Sequence, residues 1–279
     1  MRKFLSHLMA MMLFSGVAAT ALAQAPPSDV VKVPLTDPSR TATVKVKMIS
    51  GGISVKGYNG KEVVVEAKSR DEERSSHKNA PQAAGMKRIP NLSSGLSIEE
   101  EDNVVSVGTG LTSRPIDIYV QVPARANLVL KTLNDGDIVV EQVQGEIEVD
   151  DLNGAVTLTR VSGSVVAHSL NGNVKATIAA VEPDKPMSFT SLNGDIDVTL
   201  PPEVKGNAVM KTDNGEIYSD FDVKIDYSTA KPTVEGSTGK GGKFKVKLDH
   251  TMRGAINGGG PELQFKTFNG NIYIRKSAK

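Results

Sequence analysis

The chain has 279 residues with no cysteine, no tryptophan, five Tyr, seven Phe and 26 Gly, and a formal charge of +1 from 33 basic and 32 acidic side chains. Zero cysteine excludes a disulfide scaffold, thiol catalysis, Cys-ligated zinc and a lipid-modified N-terminal cysteine, and the balanced charge gives no bulk argument for nucleic acid. Hydrophobic residues reach 39% but aromatics only 4%, so the core must be built from Val, Ile, Leu and Ala.

Residues 1–23 read as a secretory signal. Arg2 and Lys3 form the positive n-region, Leu8 to Val17 an apolar run, and Ala21-Leu22-Ala23 the small-x-small cleavage site. An uncleaved anchor is the competing reading, since Phe4 to Ala23 could just span a bilayer. Cleavage after Ala23 fits the A-x-A motif and Pro26-Pro27 beyond it, and loss of Arg2 and Lys3 leaves a mature chain of formal charge −1. No later segment is apolar for long enough to span as a helix. The expected product is exported: periplasmic, associated with the outer surface, or secreted.

Residues 24–42 hold four prolines and read as an extended lead-in, in part a strand. Gly51-Gly52-Ile53-Ser54-Val55 and Asn59-Gly60 then predict a first coil, with Val63, Val64 and Val65 in the next strand. Residues 69–97, with Arg70-Asp71-Glu72-Glu73-Arg74, read as a polar surface insertion, a short helix over the charged run being the alternative. Alternation returns over 99–107 and 116–122.

The central block repeats. Gly136, Gly145, Gly154, Gly163 and Gly172 follow one another at nine-residue intervals. Two residues after each Gly stand Ile138, Ile147, Val156, Val165 and Val174, and four after, Val140, Val149, Leu158, Ala167 and Ala176. Alternation with β-branched residues at the inward sites is a strand signal. Nine residues hold one short strand and one corner. Val143, Leu152, Val161 and Leu170 stand seven after the first four glycines, and the corners alternate between Leu-Asn-Gly and Val-(Gln/Ser)-Gly. Two units therefore make a coil of 18 residues. Asn-Gly suits the corners because both residues tolerate positive φ. Looser repeats open at Gly194, Gly215 and Gly270. The fold class expected is an all-β, single-chain β-helix-like solenoid, of roughly ten coils and about 50 Å at the strand spacing. A meander of two-residue hairpins is the competing reading. Residues 219–262 are irregular, with Lys243 to Leu248 alternating like a charge-protected edge strand.

The strand Asp117–Val122 with Pro123, the repeated [LF]-N-G-[DN]-[IV] corners, and the ending Gly258-Gly259-Gly260-Pro261-Glu262 with Thr267 to Ile274 resemble the bacterial "putative adhesin" families of unknown function, the DUF4097 type and its head GIN relatives. The resemblance covers roughly residues 43–276. It implies a β-helix-like solenoid on exported or envelope proteins and brings no catalytic residues.

A search for chemistry finds little. His77, His168 and His250 remain after the signal is removed, and none has the spacing of a zinc motif. No G-x-S-x-G occurs, and Gly236 to Lys243 lacks the phosphate-loop pattern. Carboxylates are the candidates. Asp137/Val139/Glu141, Ala155/Thr157/Thr159, Asn173/Lys175/Thr177 and Asp195/Asp197/Thr199 are expected to stack on one outward face, and Glu146/Glu148/Asp150 beside Ser164/Val166/His168 on the other. Such carboxyls could reach glycosidase spacing, and Glu146, Glu148, Asp150 and Asp151 could hold calcium weakly; solvated faces are the plainer reading. No catalytic, cofactor-binding or metal-ligating residue is assigned. The expected function is that of an exported, non-enzymatic adhesin or envelope binding protein whose partner is a surface polymer or protein. The alternatives are a polysaccharide-active or glycan-binding protein using an acidic face, and a periplasmic accessory or sensor subunit.

Overall fold

The computed structural model describes residues 29–70, 95–109, 115–134, 136–226, 233–235, 245–247 and 251–278. The predicted signal, residues 71–94 of the insertion with His77, His250 and the whole Gly-rich 236–243 segment lie outside them. No helix occurs among the described residues.

Three groups of strands follow one another along the chain. The first comprises β1 (Asp29–Pro34), β2 (Ala42–Lys47), β3 (Ile53–Tyr58), β4 (Glu62–Ser69), β5 (Leu96–Glu101), β6 (Val104–Thr109) and β7 (Ile116–Pro123). The repeat block supplies β8 (Ala126–Thr132), β9 (Ile138–Glu141), β10 (Gln144–Asp151), β11 (Val156–Ser169), β12 (Val174–Val181), β13 (Met187–Ser191) and β14 (Ile196–Leu200). The last group is β15 (Gly206–Asn214), β16 (Ile217–Ser219), β17 (Val223–Ile225), β18 (Thr233–Glu235), β19 (Lys245–Lys247), β20 (Met252–Ile256), β21 (Glu262–Asn269) and β22 (Ile272–Lys276).

Each coil gives one strand to each of two parallel ladders. One runs β6–β2–β8–β10–β11–β13–β21–β15 through the second half of β11. The other runs β7–β3–β9–β11–β12–β14–β22–β16 through its first half. The chain is therefore a β-solenoid, as the nine-residue period predicts, and parallel pairing rules out hairpins at the Asn-Gly corners. Eight coils stack among the described residues, about 35 Å at the usual spacing, fewer than the ten expected.

Coil order departs from chain order at both ends. The β2–β3 coil lies between the β6–β7 and β8–β9 coils. The C-terminal β21–β22 coil lies between β13–β14 and β15–β16. The β2–β3 and β21–β22 coils thus each lie between two others, which gives their backbone groups partners on two sides. Antiparallel strands flank the stack: β4 on β7, β1 on β4, β5 on β6, and β20 on β15 with β17 beyond it. Val63 and Val65 therefore belong to an antiparallel flanking strand and not to a second coil. The lead-in is part strand, and its turn is docked by buried Asn103, which accepts from the Asp37 N–H at 2.7 Å and donates to the Asp37 carbonyl at 2.6 Å.

The interior is a set of aliphatic columns. Val107, Val46, Leu130, Val149 and Ala167 succeed one another in register, then Phe189, Phe265 and Met210. Phe189 and Phe265 are fully buried and stack at 5.7 Å, so the core admits a ring pair that composition alone did not suggest. Ala167 stands beside Phe189 in its ladder, a small residue next to the largest.

Candidate functional site

The Asn-Gly corners form one continuous edge, in which the Asn and the Gly each have a task. Asn side chains hydrogen-bond from coil to coil: Asn153 donates to Asn134 at 3.0 Å, Asn171 to Asn153 and Asn193 to Asn171 at 2.8 Å, Asn269 to Asn193 at 2.7 Å, and Asn214 to Asn269 at 2.9 Å. Each following glycine is required by close approach. A Cβ on Gly154, Gly172, Gly194 or Gly215 would lie within about 2.3 Å of the neighbouring glycine's carbonyl oxygen. This corrects the positive-φ rationale: none of these four glycines has φ in that region. Where the next residue is Asp or Asn it accepts an N–H from the adjoining coil, as when Asp195 Oδ1 takes that of Asn271 at 2.7 Å and Asn173 Oδ1 that of Asp195 at 2.8 Å.

A phase slip accompanies the turn. Leu152 is 38% exposed, and Leu133, Leu192 and Phe268 are exposed with it, so the leucine ahead of Asn points out. The inward residue is the one before it: Thr132, Asp151, Ser169, Ser191, Thr267 or Thr212. Val143 and Val161, on the opposite edge, are buried as expected. That edge turns at Gln142 and Arg160, eighteen residues apart and both at left-handed φ (57° and 52°), a conformation the sequence pattern did not reveal.

The outward faces are laced with ion pairs. Lys131 meets Glu148 at 2.9 Å, Lys185 meets Glu146 and Glu182 at 3.1 Å, and Arg275 meets Asp197 at 2.7 Å. The hydrogen-bonded carboxylates hold Lys131, Lys185 and Arg275 above their ordinary pKa. Tyr218, 52% exposed, stacks on Tyr273 at 5.3 Å, with Arg275 over the Tyr273 ring. An open depression of about 470 Å³ on the second edge is lined by Thr41, Arg125, Asn127, Gln144, Glu146 and Lys185.

The family model for Toastrack DUF4097 matches residues 9–257. The chain belongs to the Toastrack DUF4097 family. The match ends ahead of β21 and β22, which nonetheless sit inside the stack. No curated protein matches the chain. Among solved structures, a "putative cell adhesion protein" from Clostridium sporogenes aligns with 11% identity over 91% of this chain and 100% of its own, at a TM-score of 0.42. A "putative adhesin" from Bacteroides fragilis aligns with 10% identity over 91% and 98%, at 0.34.

The Toastrack chain places the predicted carboxylates in the registers expected, with Glu148 beside Val166, Asp150 beside His168 and Asp197 beside Lys175. It does not gather them into a cluster. Asp151 is buried on the inner side of β10, apart from Glu146 and Glu148, which pair with lysines. Among the described residues no group of three or more His, Cys, Asp or Glu is placed to hold a metal ion. His168 points outward and its Nδ1 hydrogen-bonds Thr190 Oγ1 at 2.9 Å.

Proposed function

We propose that this Toastrack protein is an exported, non-enzymatic binding element of the cell envelope, adhesin-like in that its long outward faces engage a surface polymer or protein. One observation carries the reading: the carboxylates that catalysis would need are committed elsewhere. Asp195 caps a backbone N–H of the next coil, and Glu146, Glu148 and Asp197 are neutralised by cations.

A glycan-binding variant of this function draws on Tyr218 and Tyr273, whose exposed stack with Arg275 offers an aromatic face beside hydrogen-bond donors.

The test is incubation of the full exported chain with purified envelope polysaccharides and envelope protein fractions, scoring binding and turnover together. Saturable binding without product formation is expected. Turnover of any glycan that is lost on Glu148→Gln, a change outside the corner ladders, would overturn the reading.

A further inference from the structure

In five of the six described coils with an Asn corner on this edge, the inner position ahead of the corner carries a hydroxyl donor. Thr132 Oγ1 donates to the Gly51 carbonyl at 3.1 Å, Ser169 to Gly154, Ser191 to Gly172 and Thr267 to Gly194 at 2.9 Å, and Thr212 to Gly270 at 2.8 Å. In the remaining coil the residue is Asp151, paired in register with Thr132 on β8 and Ser169 on β11.

Asp151 is 0% exposed. Its Oδ1 accepts the Asn153 N–H at 3.1 Å, while Oδ2 is the one buried side-chain nitrogen or oxygen among the described residues without a hydrogen-bond partner. Oδ2 also occupies the donor's place. A methyl built on Gly154 would lie 2.2 Å from the Gly136 carbonyl oxygen and 2.7 Å from Asp151 Oδ2. One built on Gly215 would lie 2.0 Å from the Gly270 carbonyl oxygen and 3.0 Å from Thr212 Oγ1, the pair joined by a real hydrogen bond. By the periodicity of the stack, the acceptor facing Oδ2 is the Gly136 carbonyl. A carboxylate there would bury an anionic oxygen facing a carbonyl oxygen with no donor between them, which is costly away from water.

We infer that Asp151 is held as a neutral carboxylic acid donating from Oδ2 to the Gly136 carbonyl, and that loss of this proton to water makes the corner between β8, β10 and β11 a pH-sensitive joint of the solenoid. Burial is the chief cause: it pushes the Asp151 carboxyl up to about 7, against the lowering effect of the Asn153 and Gly154 N–H groups. The charged groups around it are Asp137, at the head of the facing strand, Asp150 on its own strand, and Lys131 and His168, which flank Asp150 in register. Asp137 and Asp150 both oppose a charge on Asp151.

The sign follows from proton linkage. The folded chain holds a proton that the unfolded chain releases in the ordinary carboxylate range, so the contribution is complete below that range and is lost as pH rises towards about 7. Between pH 6 and 8 the folding equilibrium should fall about tenfold from this group alone.

Asp151→Asn is the decisive variant, because its amide can donate to Gly136 and accept from Asn153 with no ionisable proton. Thermal melts of the full chain from pH 5 to 8.5 should show the wild type losing stability with rising pH relative to Asp151→Asn, steeply from pH 5 to about 7 and levelling off above it. An unchanged difference between them across that range would overturn the proposal. Carbon-13 NMR of the wild-type Asp151 carboxyl tests the same point without a variant. A midpoint near neutrality supports the assignment, and one below pH 5 overturns it.

Discussion

Asn269 donates from Nδ2 to Oδ1 of Asn193 at 2.7 Å although 76 residues separate the two in the chain. Asn214, which comes between them in sequence, lies beyond Asn269 in space and donates to it in turn. The last coil is thus a wedge driven between two earlier ones, and it closes the ladder.

Deleting residues 262–279 should therefore damage the interior of the stack and not its tip. Strands β13 and β15 would both lose their bonds to β21, and β14 and β16 theirs to β22. Hydrogen exchange should show loss of protection across residues 187–219, with the β8–β10 region less affected. Preserved protection at β13 and β14 would contradict the observed coil order.

Gly154→Ala and Gly258→Ala separate two uses of glycine. At Gly154 an added Cβ meets the Gly136 carbonyl oxygen at 2.2 Å, so backbone must move and a loss of about 3 kcal/mol is expected. Gly258 has φ of +91° and nothing within 4 Å of a built Cβ, so only conformational strain of about 1 kcal/mol applies. Chemical denaturation of both variants measures the difference.

Asp195 is a joint residue. Asn occupies the equivalent place at positions 173 and 271, and either side chain presents the oxygen that the neighbouring N–H needs. Asp195→Asn should leave stability within about 0.5 kcal/mol of wild type, and Asp195→Ala should cost about 1 kcal/mol. Equal losses for both would show that charge, not acceptance, matters there.

Phe189 carries the core at the junction with the C-terminal coil. Truncation to Ala removes a fully buried ring stacked on Phe265, with an expected loss of about 3–5 kcal/mol. Phe189→Leu should cost markedly less in the same melts, because it keeps most of the volume.

Much of this was legible in the chain itself. Nine-residue glycine spacing with Val and Ile at fixed offsets predicts two short strands per coil, and β9 to β12 follow it closely. Three features escaped that reading for physical reasons. Repeats with interchangeable corners carry no information on stacking order, so the placement of β2 and β21 between neighbours needed coordinates. Strict alternation assumes straight strands; the Asn-Gly turn shifts the phase by one, which exposes Leu152 and buries Asp151. Gln142 and Arg160 adopt left-handed backbone without the Gly or Asn that usually signals it. For the site, the carboxylate registers were predictable, but their cation partners were not. Lys185 reaches Glu146 across 39 residues from the turn ahead of β13.

The central claim is that the Asn-Gly corners form one ladder in which the C-terminal coil is internal. A chain without native cysteine allows a direct measurement: paired Asn193→Cys and Asn269→Cys substitutions, oxidised in the folded protein, with Asn193→Cys and Asn214→Cys as the comparison. Rapid, near-complete disulfide formation in the first pair and little in the second is the predicted result. Efficient closure of the 193–214 pair with none at 193–269 would place the coils in chain order and contradict the account.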